Sequence, residues 1–387
     1  MTSDTVMDIR SQFPGVHWVW RGAISFVYEV DPHIVVKVPK SGEFEREQFL
    51  KELKIYEIFS RHRPCPSVVQ CFFYTGNGIF LEYMRGATLL PVERYIVLTV
   101  SLDASLSSRI QNNHIRDPQT TMVSKVEKLE PLHLRMEWMN DLAQAVAFLE
   151  SLNLAHGDLR PENILLDRNR LKLSDFDCTA EIGTDFEACM APYGRLLNSN
   201  ETDQGRRGTS GSLGPRTEQF ALGSLYYLIN YGFEVYGDQC LTEDPKEHGP
   251  AVVDLLQNMV FPKLNGDLID NIIWKCWHNK YATVAELAAN TETVLTEASK
   301  RKGTNAETIS TTRWRTVIGR IIHGLWWTLV RWSTNGGATD NSDDILADFS
   351  SKKAFCQDLE KRGLLRLFSS GEPEQLGFSF EWYRHRY

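Results

Sequence analysis

The sequence predicts an α+β protein with two lobes, a small lobe rich in strands and a larger helical lobe, followed by a C-terminal helical extension. Short alternating apolar segments fill the chain up to about residue 84, and longer segments with helical spacing follow from about residue 132. The 387 residues leave room for roughly two to three folding units. Because strand-rich and helix-rich halves pack as separate bodies, we expect a cleft between them.

Composition and charge narrow the classes of function. Hydrophobic residues make up 42% and charged residues 24% of the chain, as in ordinary soluble proteins. The formal net charge of -8 disfavours nucleic acid as a partner, because phosphate backbones attract basic faces. Residues 1–10 lack the apolar core of a secretory signal, and no apolar stretch is long enough for a transmembrane span. Seven scattered cysteines without metal-ligand spacing favour the cytoplasm, with the nucleus as the other compartment that fits.

Period-two alternation and turn residues predict the strands of the small lobe. The third strand ends in the run Ile-Val-Val-Lys37-Val-Pro, and apolar residues at helical spacing then predict a helix from Glu43 to Arg61. A Gly-Asn-Gly turn precedes the last strand. The strands are expected at 16–20, 26–30, 34–39, 68–74 and 79–84.

Two segments fall outside this plan. Residues 85–131 are predicted to form the connection between the lobes and an atypical insertion. Within them, residues 89–103 are unusually apolar, and two interpretations are open: an extra strand or helix, or non-coding sequence retained by a faulty gene model. Residues 198–216, rich in Gly, Ser and Arg, are predicted to be a mobile loop.

Helices dominate the second half of the chain. Apolar residues from Trp138 to Leu149 form one face of a helix that ends before His156. Two short strands, 164–166 and 171–173, follow around a turn. Further helices are expected at 219–231, 251–259, 268–277 and 282–295.

The polar residues that suggest chemistry lie in one segment. Residues 156–166 read HGDLRPENILL, and residues 173–177 read LSDFD. Phosphoryl transfer needs a carboxylate near the attacking hydroxyl and oxygen ligands for Mg²⁺. Asp158, Asn163 and Asp175 supply that set. Any one of them alone is more often a turn or capping residue, so the inference depends on the whole string.

This string resembles the catalytic and metal-binding loops of eukaryotic protein kinases. The resemblance covers about residues 14–297, is nearest to divergent fungal kinase-like proteins, and implies a two-lobed protein-kinase-like fold that uses ATP and Mg²⁺ on a protein substrate. It makes Asp158 the base or hydroxyl-orienting group and gives Asn163 and Asp175 to the metal. Arg160 stands where many protein kinases carry a phosphate-contacting lysine.

The resemblance also implies a nucleotide site in the small lobe. Lys37 corresponds to the lysine that anchors ATP, and Glu52 is its best-matched partner on the following helix. The residues implied to line the nucleotide are Gly22, Ser25 and Val27 at the phosphate loop, and Leu81, Glu82 and Met84 at the gatekeeper and hinge.

The chain departs from the family pattern in several places. Gly22 is the only glycine of the expected phosphate loop, so a weakened affinity for ATP is expected. Gly157 replaces an arginine that reads a phosphorylated activation loop, so activation by that route is disfavoured. Asp177 replaces the glycine that ends the metal loop, and Glu218 replaces the aspartate that braces the catalytic loop, a part that a longer carboxylate can also play. The Met-Ala-Pro-Tyr193 segment lacks the glutamate of the family's Ala-Pro-Glu.

The domain organisation predicted from these patterns has four segments. The N-lobe spans 14–84, the C-lobe 132–297, with the hinge and insertion between them, and residues 298–387 form an extension of unknown role. Within the extension, residues 313–332 suggest a basic, Trp-rich amphipathic helix. Docking on the kinase lobe is the usual fate of such a helix, and peripheral contact with a membrane surface is the alternative.

Three functions compete. The leading one is a Ser/Thr-type protein kinase, because Pro161, Glu162 and Asn163 resemble the Ser/Thr-kinase loop. The second is a pseudokinase scaffold, which the poor glycine loop and Asp177 favour. The third is a small-molecule phosphotransferase similar to aminoglycoside or choline kinases, whose loops also carry His-Gly-Asp and Asp-Phe-Asp. Cys178, beside the metal loop, is interpreted as a quiet cysteine, with a reactive thiol as the alternative.

Overall fold

The structure is a computed structural model that covers both predicted lobes and much of the extension. The helix suggested at 313–332 and most of the apolar segment 89–103 lie outside the described residues, so their interpretations stay predictions. Side chains are described within the ranges below except at 91–96, 202, 301–309 and 341–345. The described residues are 12–85, 91–92, 95–96, 105–185, 189–309, 341–381 and 384.

The small lobe is built on a five-stranded antiparallel sheet with the order β1-β2-β3-β5-β4. Its inner face, which carries Val35 and Lys37, is turned toward the large lobe. Its outer face carries Phe26 and Tyr28, and side chains alternate between the two faces as the period of a strand requires. The strands are β1 (His17–Arg21), β2 (Ser25–Asp31), β3 (Ile34–Pro39), β4 (Cys71–Thr75) and β5 (Gly78–Glu82).

The strand β4 begins three residues later than predicted. The reason is that the preceding residues bond to the large lobe: the Val69 N–H donates to the Leu173 carbonyl and the Leu173 N–H donates to the Ser67 carbonyl, each at 2.9 Å. These bonds replace a strand pairing within the small lobe and join the two lobes behind the cleft.

The helix α1 (Glu43–Phe59) packs on the inner face of the sheet and ends two residues before the predicted end. Its buried positions follow helical spacing and include Phe49, Leu53 and Tyr56. Glu52 is the charged residue among them, and a buried carboxylate requires a partner.

Between the lobes the chain forms small elements. An antiparallel hairpin of this region packs on the large lobe, where the Val123 N–H donates to the Gly237 carbonyl at 2.9 Å. A Cβ at Gly232 would come within 2.9 Å of Val126, so glycine permits the close approach. Part of the predicted insertion is therefore regular structure attached to the large lobe. The elements are β6 (Pro91–Val92), β7 (Tyr95–Ile96), α2 (Leu106–Gln111), β8 (His114–Arg116) and β9 (Val123–Val126).

The large lobe is helical and carries short strands at the cleft. Trp138 is fully buried, and its Nε1 donates to the Asn169 carbonyl at 2.8 Å, which fixes the turn between β11 and β12. The elements, in chain order, are α3 (Leu132–Ser151), β10 (Leu154–Ala155), β11 (Ile164–Asp167), β12 (Arg170–Leu173), β13 (Ala180–Glu181), α4 (Pro215–Tyr231), α5 (His248–Gln257), α6 (Leu268–Trp277) and α7 (Val284–Ile309).

The centre of the large lobe is α4, whose side chains are nearly all buried. Pro215 starts the helix, where its missing N–H costs nothing, and Gly232 ends it with a left-handed φ of 82°. The loop predicted to be mobile contains a short 3₁₀ turn, and its last residue, Arg216, already belongs to α4 and is buried, as is Arg195 just before the loop. Among the described residues, no helix combines the length and the apolar character that a membrane crossing requires.

The C-terminal part of the chain returns to the small lobe. The helices α8 (Asn341–Lys361) and α9 (Leu364–Phe368) pack on the outer face of the sheet. The rings of Phe368 and Tyr28 stack with centroids 4.0 Å apart, and Leu365 lies over Gly78, where a Cβ would clash. The predicted fold class, two lobes of α+β type with a C-terminal helical extension, is confirmed.

Candidate active site

Three charged side chains from separate elements meet at the floor of the cleft. The Nζ of Lys37, in β3, lies 2.6 Å from Oε2 of Glu52 in α1 and 2.7 Å from Oδ1 of Asp175, which follows β12. The side chains of Lys37 and Glu52 are 10% and 1% exposed. A buried ion pair is stable only when both partners are present, so this contact also fixes α1 against the sheet.

The electrostatics of this triad keep the lysine charged. Burial alone would lower the pKa of Lys37, but Asp175 and Glu52 together raise it above its ordinary value. The Lys37 ammonium is in turn the main cause that holds the pKa of Asp175 below its usual range, against the effect of burial. Burial raises the pKa of Glu52, and Lys37 opposes that rise. A fixed positive charge is therefore held at the cleft floor at neutral pH.

The catalytic-loop residues are held together by their own hydrogen bonds. The Asn163 Nδ2 donates to both the carbonyl oxygen and Oδ2 of Asp158, each at 2.9 Å. The Nε of Arg160 lies 3.0 Å from the same Oδ2. Asn163 sits at the end of the 3₁₀ turn Pro161–Asn163 and is buried. The other carboxylate oxygen of Asp158, Oδ1, accepts no hydrogen bond from the described residues and is left for a ligand.

The backbone of this loop is braced from below by α4. Glu218, which is 3% exposed, accepts the His156 N–H with Oε2 at 2.8 Å and the Gly157 N–H with Oε1 at 3.2 Å. Burial raises the pKa of Glu218 to about 7, and these two hydrogen bonds oppose the rise. The longer carboxylate thus makes the bracing contacts that the sequence suggested for it.

A group of aromatic side chains around Phe176 connects the catalytic loop to α1. The fully buried ring of Phe176 makes edge contacts with His156, Tyr56 and Phe59 at centroid distances of 5.3, 5.6 and 5.1 Å. The Asp158 N–H donates to Nδ1 of His156, so the proton of the ring lies on Nε2, which donates to the Ser174 carbonyl. Catalytic loop, metal loop and α1 are therefore packed against one another through Phe176.

The predicted phosphate loop is a short turn. The Gly22 N–H donates to the Ser25 carbonyl at 2.9 Å and closes the turn between β1 and β2. A Cβ at Gly22 would lie 3.4 Å from that carbonyl, an ordinary contact, so the position does not require glycine. Ser25 is buried and Val27 half-buried on the inner face. The turn frames the cleft without the flexible glycines that let a backbone approach phosphates closely.

The predicted hinge residues follow β5. Leu81 and Met84 are buried, and the Glu82 carboxylate points to Lys172 of the large lobe at 2.5 Å. The Glu82 N–H donates to the Gln70 carbonyl, whereas the Met84 N–H donates to none of the described residues. The Met84 N–H is thus a hinge donor that the described residues do not use, while the Glu82 side chain ties the two lobes together.

The sequence profile of the protein kinase domain matches residues 32–239, which is more than half of the chain. The chain belongs to the protein kinase family. The match includes the lysine, the catalytic loop and the metal loop, and it confirms the family and the two-lobed kinase fold predicted from the sequence.

Individual protein kinases resemble shorter parts of the chain. A probable serine/threonine-protein kinase of Dictyostelium discoideum is 26% identical over 248 residues, 56% of this chain and 23% of that protein. The serine/threonine-protein kinase MRCK gamma of Homo sapiens is 26% identical over 147 residues, 35% of this chain and 10% of the relative. The liver/testis phosphorylase b kinase gamma catalytic chain of Mus musculus is 48% identical over 58 residues, 14% of each chain. The chain thus spans less than a quarter of the length of each of these relatives.

Protein kinases use ATP and divalent metal ions in general, and the residues at the cleft floor fit such an ion. Oδ1 of Asp175 is bound to Lys37, and the amide nitrogen of Asn163 is bound to Asp158. Oδ2 of Asp175 and Oδ1 of Asn163 accept no hydrogen bond from the described residues. Two free oxygens, one anionic and one neutral, are ligands that Mg²⁺ prefers.

Sequence reasoning missed a charged cluster near the hinge. Glu29 of β2 is 3% exposed and lies 2.8 Å from Arg85 and 3.0 Å from Arg384. The only local signal was a glutamate in an otherwise apolar strand. It also missed the pairing of Arg160 with Asp158, although the two residues are close in sequence.

The interpretation of Cys178 as a quiet cysteine has electrostatic support. Burial and the neighbouring carboxylates of Asp177 and Asp158 raise the pKa of the Cys178 thiol to about 12. Since the thiolate is the reactive form, this side chain stays a thiol at neutral pH.

Proposed function

We propose that this chain is an active ATP- and Mg²⁺-dependent protein kinase of the Ser/Thr type. It transfers the γ-phosphate of ATP to a hydroxyl group of a protein substrate. The observation that carries the proposal is the assembled ion triad of Lys37, Glu52 and Asp175, in the same cleft as Asp158 and Asn163. Buried charges that converge in a cleft are a common property of catalytic sites, and they favour a phosphoryl-transfer role over a purely structural one.

Each residue has a task in this reaction. Asp158, held through Oδ2 by Asn163 and Arg160, orients the substrate hydroxyl with Oδ1 and takes up its proton. Lys37 positions the phosphates of ATP through its fixed ammonium. Asn163 and Asp175 would hold Mg²⁺, which neutralises charge on the transferred phosphate when bound. Arg160 is close enough to Asp158 to stabilise negative charge beside the substrate oxygen.

The adenine would bind at the hinge. Its ring needs a hydrogen-bond donor for one nitrogen and an apolar slot for its faces. The Met84 N–H supplies the donor, and Val27 and Leu81 contribute apolar side chains on the inner face. The carboxylate of Glu82 takes no part, because it is bound to Lys172.

A protein substrate with Ser or Thr fits better than a small molecule. The relatives reported above with a stated specificity are serine/threonine-protein kinases, and the Pro161–Asn163 turn resembles their loop. A small-molecule phosphotransferase stays an alternative that a substrate screen with aminoglycosides and choline tests directly.

The decisive experiment is a thermal-shift titration with ATP, with and without Mg²⁺, combined with a transfer assay on a mixed peptide library. We expect a Mg²⁺-dependent rise in melting temperature that Asp175→Ala loses and the exposed control Asp238→Ala retains. Asp158→Ala should bind ATP and transfer nothing. Equal transfer by Asp158→Ala and the unsubstituted protein would refute the mechanism.

A nucleotide-binding or nucleotide-free pseudokinase is the second candidate. The glycine-poor turn at Gly22 favours it, as does Asp177, whose pKa is raised by burial and then by Asp175. A Mg²⁺-dependent thermal shift without phosphate transfer to any substrate class would support this function, and no shift at millimolar ATP would leave only the scaffold role.

A further inference from the structure

The part of the chain beyond residue 340 forms what we call the C-terminal cap, residues 341–381 and Arg384. Its apolar residues share one core with the outer face of the sheet, and the described surface of that face is covered. Fully buried cap residues include Leu364, Leu365 and Leu376. These cap residues are therefore part of the small-lobe core, and the cap is not a loosely attached tail.

At one end the cap contacts the strand that leads into the predicted phosphate loop. Phe380 forms a bridge with Trp18 of β1, and their ring centroids are 5.0 Å apart. The Glu381 N–H donates to the Trp18 carbonyl at 2.8 Å. Arg21, which immediately precedes Gly22, pairs with Glu374 of the cap at 2.8 Å, although this pair is half-exposed and contributes little alone.

Three residues after Glu381, the cap also reaches the hinge. Arg384 donates from Nε and Nη2 to the two carboxylate oxygens of Glu29, both at 3.0 Å. Arg85, one residue after Met84, donates to the same carboxylate at 2.8 Å. Glu29 is on the inner face, two residues from Val27. A single buried carboxylate thus joins β2, the hinge and the cap, and the two-pronged contact with Arg384 fixes its direction.

We propose that the C-terminal cap is a positioning element of the nucleotide site, with Arg384 as the positioning residue that acts through Glu29. The turn at Gly22 has few glycines to mould around phosphates, so its geometry must be set by what holds β1 and β2. The cap holds β1 at Trp18 and β2 at Glu29, which are neighbouring positions of the paired strands. It also contacts the end of β1, next to the turn, through Arg21. This inference rests on the proposed nucleotide site and adds a part of the chain outside the residues matched by the kinase-domain profile.

The test compares Arg384→Ala, Arg384→Lys and Arg366→Ala in the full chain. Arg366 lies in α9 of the same cap and is exposed, so it serves as the matched control. ATP affinity is measured by calorimetry with Mg²⁺, and backbone hydrogen exchange at 27–31 and 82–85 is measured without nucleotide. We expect Arg384→Ala to weaken ATP binding by about tenfold. Arg384→Lys should restore part of it, because lysine keeps the charge and loses the fork.

The outcomes separate this inference from the proposed function. Faster exchange at both segments together with weaker ATP binding in Arg384→Ala, and neither change in Arg366→Ala, supports the positioning role. Unchanged exchange and affinity in Arg384→Ala overturns it. A loss of affinity and of melting temperature that is equal in the alanine and lysine variants also overturns it, since the contact is then only structural. If the unsubstituted protein does not bind ATP, the nucleotide site fails, and the exchange comparison alone decides whether the cap holds the hinge.

Discussion

The two faces of the small-lobe sheet are formed by the same five strands but have different roles. The inner face carries buried charged residues, Lys37 and Glu29, each paired with oppositely charged side chains from other elements. The outer face carries Phe26, Tyr28 and Phe80 and is covered by apolar residues of the C-terminal cap. Neighbouring residues of a strand point to opposite faces. Residues of the proposed site and residues of the apolar core therefore alternate along the sequence but lie on opposite sides of the sheet. Substitutions on one face should therefore change activity, and those on the other should change stability.

The largest effect is expected on the inner face. Lys37→Met should lower phosphate transfer about 1000-fold, because a fixed charge that positions the phosphates is removed. The exposed control Lys54→Met, on the same helix as Glu52, should transfer phosphate at the normal rate. Rates are measured with saturating ATP in a peptide phosphorylation assay. A Lys37→Met variant with more than a tenth of normal activity would contradict the separation of the two faces.

The matching change on the outer face should act on stability. Phe368→Ala removes a buried ring that stacks on Tyr28, and we expect the free energy of unfolding to fall by about 3 kcal/mol. Phe355→Ala, at an exposed position of α8, should change it by less than about 1 kcal/mol. Urea unfolding followed by fluorescence gives both values. Similar effects of the two substitutions would show that the cap is not part of the core.

A smaller effect on stability is expected at Glu218, the residue that braces the catalytic loop. Glu218→Ala leaves two buried N–H groups without partners, so we expect a loss of about 2 kcal/mol in unfolding free energy. Glu218→Asp should recover part of it, since a shorter carboxylate can reach one N–H after a small shift. If the alanine variant unfolds at the normal urea concentration, Glu218 is not the brace described above.

The smallest effect concerns pH. Lys37 holds the pKa of Asp175 down, so this carboxylate stabilises the fold above its ordinary pKa and that stabilisation is lost as pH falls. In Lys37→Met, the main opposition to burial is removed, so the pKa of Glu52 and that of Asp175 rise and the contribution of these carboxylates is lost as pH rises. The stability difference between the two proteins should grow by about 1 kcal/mol from pH 4 to 7, reduced because Asp175 is partly exposed. Unfolding at four pH values measures it, and a constant difference would argue against the ion triad.

The candidate catalytic residues around the cleft could be predicted largely from sequence because they lie in short strings. His156 to Asn163 and Asp175 are set by a local loop pattern, and Lys37 follows an apolar run that marks its strand. Their roles stay proposals, but their convergence needed only the known order of strands and loops. The pairing of Asp158 with Arg160 was less visible, because it depends on backbone angles within the loop.

The cover of the outer face could not be predicted in the same way. The alternation of Phe26, Tyr28 and Val30 shows that the outer face is apolar and must be buried. It does not say which segment buries it, because α8 and α9 lie roughly 300 residues away in sequence. The pairing of Glu29 could not be predicted either, because its partner Arg384 lies 355 residues away in sequence. Local sequence patterns show which face of a strand is apolar. They do not show which distant segment packs on that face.

This separation along the chain has a consequence for biosynthesis. The strands β1 to β3 leave the ribosome before the helices that cover their outer face. These helices follow about 300 residues later, which takes some 15 to 60 seconds at typical translation rates. During that interval Phe26, Tyr28 and Phe80 have no native cover. The nascent small lobe is therefore expected to depend on chaperones, and a premature stop anywhere before α8 should give an aggregating product and not a shorter kinase.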